Sequence, residues 1–441
     1  METVIRIIQF FLSLTLLVTV HEFGHFIMAR AFKIRVDKFY IFFDWGFSLF
    51  KFKRGETEYG MGWLPLGGYC QIAGMIDENQ GSKDLASEPQ AWEFRSKPAW
   101  QRFCVLVAGV TMNVILAFII YCGISYAWGE QYLANKDVTE GYGYSFNADG
   151  ESLGFRDGDG ILTINDEEIV NSASIVSRVI LADGDLNVVA LRNGSPVDIL
   201  VPYEKINILR QKEDFGQICT VLHPFIIDSL VSDSAKASGL AVGDTVIGID
   251  GIDEVDFVAY APLLAERAGK AAELKVMRGD EQLSILVSVN EQGKIGVVTA
   301  ALPYTLKTTR YTLLQSIPAG ARLTGKTIEN YWNQLKLIVK PDTGLYKQVG
   351  GFIAIGKIFP GSWDWYAFWY MTAFLSIILA IMNIIPIPGL DGGHTIFTLW
   401  EMITRRKVSE RVLEIAQYIG LALLLALMLF ANGNDIYRLF K

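Results

Sequence analysis

The chain has 441 residues, of which 51% are apolar and only 20% charged, with a mean hydropathy of +0.29. An ordinary soluble chain carries about 25% charged residues, and membrane helices alone would be far more hydropathic, so this mean averages a very apolar part and an ordinary one. A net charge of −8 gives no general basic footprint for nucleic acid, 12% aromatic content excludes disorder, and four cysteines are too few for a disulfide framework.

A membrane span needs about 20 nearly uncharged residues, and four stretches qualify. The first lies in 1–30: it is uncharged over 7–20 and continues to Met28 if His21, Glu22 and His25 are tolerated. Arg6 before an apolar run suggests a signal peptide, but no small-residue cleavage site follows. Residues 31–102 read as a loop, and 103–128 is a second, uncharged span. A long insert follows. The third span occupies 363–394, uncharged over 365–390, and the fourth lies in 395–441, uncharged over 415–434.

Four spans place both termini on one side and the loops 31–102 and 391–411 on the other. Arg30, Lys33, Arg35 and Lys38 flank the first span, and Arg405, Arg406 and Lys407 sit in the second loop. Residues 129–365 hold 21 basic and 31 acidic residues, a balance of −10. The positive-inside rule then makes the two loops cytoplasmic and the insert extracytoplasmic. Cys219 is alone in the insert, so no intrachain bridge is expected there.

The insert contains a repeat. Gly154, Gly158, Asp159, Ile161, Ile164, Asn165 and Asp166 recur as Gly239, Gly243, Asp244, Val246, Ile249, Asp250 and Gly251, 85 residues later (154 to 239). A second echo sets Arg192 and Gly194 against Arg278 and Gly279. Short β-branched strands lie between the turn signals. The Gly-Leu-x-x-Gly-Asp pattern, with its Ser234 to Leu240 lead-in, resembles the core of PDZ domains of the bacterial protease-associated kind. Two such domains are expected, over 129–210 and 211–300. PDZ domains add an extended peptide to a sheet edge; a pair of β modules that only blocks access is the alternative. Residues 301–362 read as an amphipathic helical linker, with helical spacing over 311–323 and 328–339 that suits either the outer leaflet or a packed face.

The chemistry concentrates at His21-Glu22-Phe23-Gly24-His25, an H-E-x-x-H pattern. On a helix, residues i and i+4 share a face, so both imidazoles can reach one zinc ion. Zinc lowers the pKa of water it binds toward neutrality, and Glu22 is a carboxylate beside it that can take the proton. A Glu and two His inside an apolar span are costly unless paired or metal-bound, which marks them as functional. From Arg6 to His21 is roughly 22 Å of helix, which puts the site in the cytoplasmic leaflet.

Catalytic zinc usually has three protein ligands. The candidate third lies at the end of the third span, in Asn383-Ile-Ile-Pro386-Ile-Pro388-Gly-Leu-Asp391-Gly-Gly-His394. The first and third spans run in the same direction, and the two prolines should unwind the helix end, which is tolerated where it lines a cavity. Asp391 is the expected ligand and His394 its competitor, as a ligand or as support. His223 lies in the insert, too far to join.

Together, H-E-F-G-H, the PDZ pair and N-x-x-P-x-P-x-x-D-G-G-H resemble the site-2 protease family of intramembrane zinc metalloproteases, in particular its regulator of sigma-E protease (RseP) type. The likeness extends over nearly the whole chain. It implies that His21, His25 and Asp391 bind Zn2+, that Glu22 is the general base, and that Asn383 positions the substrate backbone. It also implies that the segment from Leu64 to Tyr69, with Met75, belongs to a membrane re-entrant β-sheet presenting the substrate as an extended strand. Two departures stand out. Phe42-Phe43-Asp44-Trp45-Gly46 replaces a Gly-Phe-Gly-like tract, and Ala108-Gly109 replaces Gly-Pro before Asn113, whose family role is packing near the site. An interhelical hydrogen bond is the alternative role for Asn113.

The expected fold is therefore a polytopic α-helical membrane protein with four transmembrane helices, a re-entrant β-sheet and two inserted extracytoplasmic PDZ domains. Its expected place is the bacterial inner membrane, with the PDZ region periplasmic. The resemblance implies cleavage of membrane-anchored substrates within the lipid bilayer, of the anti-sigma-factor or signal-peptide-remnant type, with the PDZ pair as a filter and no nucleic-acid partner. An inactive zinc-binding scaffold recruiting partners through its PDZ pair is the alternative. A zinc transporter is a weaker one, since no acidic or histidine relay supports it.

Overall fold

The computed structural model describes residues 1–65, 67–75, 88–212, 218–302 and 304–439. The chain divides into two units: Met1–Glu130 with Arg310–Val339 and Tyr346–Lys441, and Gln131–Thr309 with Lys340–Leu345.

Among the described residues, four helices of the first unit are long and apolar enough to cross a membrane. Helix α1 spans Glu2–Ala31, with Glu2 in its first turn and Arg30 in its last, each the charge that the helix dipole favours there. Helix α2 spans Ala99–Ala127 and starts directly after Pro98, four residues before the expected 103. Helix α3, Leu313–Val339, is one helix where two were expected. Its small buried residues Ser316, Ala319, Gly320 and Thr324 let it approach α2 closely: a Cβ on Gly320 would lie 2.7 Å from the Cys122 nitrogen, and Thr327 Oγ1 lies 3.2 Å from the Tyr121 hydroxyl. Helix α3 thus packs one face on α2.

Helix α4 covers Phe352–Ile358 and α5 covers Trp365–Ile384. The Asp364 carboxylate caps α5 by accepting the Ala367 N–H at 3.1 Å. The expected third span, 363–394, is not one helix. Ile385 precedes Pro386 and is extended (φ −63°, ψ 137°), as a residue before proline prefers to be, so α5 ends there. Asp391 opens a separate helix α6, Asp391–Thr404. The expected loop 391–411 is thus mostly helical. The basic triplet Arg405 to Lys407 marks only its end, where Arg405 takes a left-handed cap (φ 57°). Helix α7, Glu410–Leu439, follows. Ala117, Ile120, Tyr121 and Ile124 of α2 form one core with Ala373, Ile377 and Ile381 of α5.

The described residues of 31–102 contain four strands, β1 (Val36–Ile41), β2 (Phe43–Arg54), β3 (Thr57–Leu64) and β4 (Tyr69–Ile72), in the order β2-β3-β1-β4. Strands β1 and β3 run parallel, and the other neighbours antiparallel. This leaves β4 at an edge. Strand β2 exposes Trp45, Phe47, Phe50 and Phe52, an apolar face far from a soluble pattern. Leu66 lies outside the described residues.

The second unit holds two separate cores, one built between Val138 and Ile218 and one between Phe225 and Ile295. In the first, β5 (Gly160–Ile164), β6 (Glu167–Glu168), β7 (Leu186–Arg192) and β8 (Ser195–Val201) form the order β8-β7-β5-β6. In the second, β9 (Phe225–Leu230) and β14 (Val297–Thr299) extend the same pattern made by β10 (Thr245–Ile249), β11 (Ile252–Asp253), β12 (Ala271–Arg278) and β13 (Glu281–Ser288). The first core extends past the expected boundary at 210, because a strand at Cys219–Val221 pairs back onto Tyr144–Phe146. None of the four cysteines forms a disulfide.

The sequence repeat has a physical cause. Asp159 and Asp244 are fully buried, and each pairs with the echoed arginine: Arg192 at 2.7 Å and Arg278 at 2.7 Å. Each arginine also donates to a repeat glycine carbonyl, Gly154 at 3.0 Å and Gly239 at 2.8 Å. A backbone N–H completes each clamp, from Arg156 at 2.9 Å and Ala241 at 2.8 Å.

Candidate metal centre

His21 and His25 stand one turn apart on the buried face of α1, with Ser13, Leu17 and Gly24. Gly24 brings that face onto α2: an added Cβ would lie 2.5 Å from the Ala108 carbonyl oxygen. Opposite the imidazoles sits Gly109, where a Cβ would overlap Nε2 of His25 and lie 2.9 Å from Nε2 of His21. The absence of a side chain on α2 at this point makes room for the ring nitrogens and anything between them.

Asp391 reaches the histidines from the first turn of α6. The unwound 385–390 segment turns through Gly389 (φ +95°), and α6 then packs back on its own approach. A Cβ on Gly392 would lie 2.7 Å from the Ile384 oxygen, and one on Gly393 2.6 Å from Pro388 Cα. The two glycines after Asp391 therefore let the helix start this close to the unwound segment. Farther along α6, Glu401 pairs with Arg102 of α2, and both side chains are largely buried. Glu401 also accepts the Val408 N–H at 3.1 Å.

Three ligand atoms converge. Asp391 Oδ2 is 3.0 Å from His21 Nε2 and 3.1 Å from His25 Nε2, and the two Nε2 atoms are 3.2 Å apart. The Val105 carbonyl lies 2.8 Å from His25 Nδ1 and can only accept, so Nδ1 carries the ring proton and Nε2 presents a lone pair. That lone pair faces a carboxylate oxygen and a second imidazole nitrogen in a buried site, an arrangement that a cation relieves. Two imidazoles and one carboxylate are also the donor set of a catalytic zinc site with one position left open. The residues fit the ion.

A cavity of about 270 Å³ adjoins these atoms, lined by Glu22, Asn383 and His394 as well as by the three ligand candidates. His394 lines the cavity, but among the described residues the converging set is His21, His25 and Asp391. Tyr69 and Cys70 of the edge strand β4 and Gln417 of α7 form further walls. Sequence reasoning gave no role to Gly109, Gln417 or the Val105 carbonyl. A backbone carbonyl carries no sequence signal, and a glycine's clearance depends on which helix faces it. Asn113 carried more signal, being an amide inside an apolar span, and its side-chain nitrogen is drawn 3.2 Å from His21 Nδ1.

Comparison with known proteins agrees with this geometry. The model of Peptidase family M50 matches residues 9–427. The chain is 30% identical to the regulator of sigma E protease of Haemophilus influenzae, over 98% of both chains. It is 28% identical to the regulator of sigma-E protease RseP of Salmonella typhimurium, again over 98% of both. A Xylella fastidiosa protein with a provisional zinc metalloprotease name is 28% identical, over 96% of this chain and 97% of the relative. An HExxH helix in the membrane, a matching aspartate from a broken helix and a family match across most of the sequence lead to one conclusion: this chain belongs to peptidase family M50, the site-2 proteases, and is an intramembrane zinc metalloprotease.

Proposed function

We propose that the chain cuts peptide bonds within transmembrane segments of single-span membrane proteins, with His21, His25 and Asp391 holding Zn2+ and Glu22 as general base. The observation that carries this reading is the convergence of two Nε2 atoms and Asp391 Oδ2 beside a cavity that Glu22 and Asn383 also line. Bound there, Zn2+ supplies Lewis acidity toward water and toward a carbonyl oxygen. Glu22 takes the proton from the attacking water and returns it to the leaving amine. The Asn383 amide, buried at the cavity wall, holds the substrate backbone.

A transmembrane helix hides its peptide bonds by bonding every amide internally, so the substrate must be unwound. Edge strand β4, which lines the cavity, has the main-chain groups to pair with an unwound segment. The exposed aromatic face of β2 supports a re-entrant placement of the whole sheet in the bilayer. The acidic insert, with basic residues at the loops 31–102 and 391–411, supports a periplasmic repeat unit in a bacterial inner membrane. Its two β modules act as PDZ domains, roughly over 129–210 and 211–300, and screen out bulky ectodomains. The names of the relatives point to anti-sigma factors as one substrate class, with signal-peptide remnants as another.

The test uses Glu22→Gln in the full chain, reconstituted with a single-span model substrate. Zinc content should stay at wild-type level while cleavage falls by at least about 100-fold, the lower range for loss of a general base. Unchanged cleavage would remove Glu22 from the mechanism. Wild-type protein that captured the substrate without cutting it would instead support the scaffold.

A further inference from the structure

Asn113 sits on α2 one turn after Gly109 and is fully buried. The same helix face thus clears space for the imidazoles at Gly109 and meets one of them at Asn113. The backbone carbonyl of Asn113 accepts the Ser376 hydroxyl at 2.7 Å, which ties this turn to α5. The amide nitrogen lies 3.2 Å from Nδ1 of His21, and Oδ1 has no hydrogen-bond partner among the described residues.

That orientation conflicts with metal binding. An amide N–H donating to Nδ1 needs a lone pair there, which sends the proton of the neutral ring to Nε2. Nε2 is the atom that faces Asp391 and His25. A protonated Nε2 cannot be a ligand. The two ends of an amide fill nearly the same volume, and which is which follows from the network around it. Either orientation leaves one amide atom without a partner, so that count does not choose between them. The tautomer chooses: only with Oδ1 toward Nδ1 does His21 carry its proton on Nδ1 and keep Nε2 free.

We infer that Asn113 is a positioning residue for the metal centre, whose Oδ1 accepts the Nδ1–H of His21 and fixes the tautomer that binds zinc through Nε2. Asn113 then does for His21 what the Val105 carbonyl does for His25. Outer partners of this kind orient a ligating imidazole and raise its basicity. The inference rests on the zinc assignment made above.

The test measures zinc affinity of the full chain in detergent by competition with a chelator. Asn113→Asp keeps an acceptor oxygen, and Asn113→Leu keeps the volume without one. The leucine variant should bind zinc about 10- to 100-fold more weakly, the usual cost of losing such a partner, and the aspartate variant should stay near wild type. Equal weakening in both variants, or none in the leucine variant, would overturn the inference. The chain has only four histidines, so 15N-histidine labelling resolves the ring directly. In zinc-loaded wild type, the His21 Nδ1–H should be hydrogen-bonded and slow to exchange; a zinc-bound Nδ1, or an Nδ1–H open to solvent exchange, overturns the inference even if the leucine variant fails to fold. Wild type that bound no zinc would sink the zinc assignment itself, whereas normal zinc binding with insensitive variants would sink only the role of Asn113.

Discussion

Two sets of buried carboxylates, one in each unit, are satisfied in opposite ways. In the repeat unit, Asp159 and Asp244 are fully buried, yet each receives an arginine and a backbone N–H. Each of these two charges has its partner inside the chain, and the effect is a stapled turn. In the membrane unit, Asp391 faces two Nε2 atoms, and at least His25 presents a lone pair to it. With both rings neutral and protonated on Nδ1, that cluster is a set of acceptors short of a cation. Satisfied burial marks architecture, and unsatisfied convergence marks chemistry.

The largest effect should come from Asp391→Asn, which removes the proposed anionic ligand and leaves its shape. Zinc affinity should fall by more than about 100-fold, beyond the loss of an outer-shell partner, and substrate cleavage should disappear. Near-normal zinc affinity would mean that His394 or another group supplies the third donor. Gly109→Ala should come next. The new methyl group overlaps His25 Nε2, so the imidazoles must separate. Affinity should drop by roughly 10- to 100-fold while the thermal midpoint in detergent moves by only a few degrees, a small change in fold stability. An unfolded Gly109→Ala protein would show that this contact serves helix packing instead.

Part of this was legible in the sequence, and the reasons divide by physics. The H-E-x-x-H face follows from helical period alone, and Asp391 stood out because charge in an apolar stretch demands a partner. Four spans followed from length and hydropathy. The repeat was visible in Gly158-Asp159 and Gly243-Asp244, and the arginine echo was visible too. Its meaning as an ion-pair clamp was not, because Arg192 lies on a strand paired to the one that follows Asp159. The prolines predicted unwinding at the end of the third span, but not that α6 would begin at Asp391, because the packing of Gly392 and Gly393 on 384–388 is a tertiary contact. The parallel pairing of β1 with β3 was equally hidden, since strand alternation does not encode direction.

The smallest effects should come from the repeat unit, and they test the other side of the comparison. Asp244→Asn should destabilise the second module by about 1–3 kcal/mol, the cost of leaving buried hydrogen-bonding groups poorly paired, without changing zinc affinity. The Asp244 carboxyl is held below the ordinary carboxylate range by the Arg278 guanidinium, with the Ala241 N–H assisting. A depressed folded pKa means that the unfolded chain takes up protons first as pH falls. Stability from this pair is therefore fully present above the ordinary aspartate range, about pH 4, and is lost as pH drops through the folded value. Hydrogen exchange of the β12 amides in the full chain, corrected for intrinsic rates, should show protection that declines below about pH 4 in wild type. Asp244→Asn should start lower and lose this part of the decline, because its side chain cannot titrate. An acid decline of the same size in the variant would assign it to other carboxylates, and the clamp at Asp244 would lose its role as the main acid-labile staple of that module.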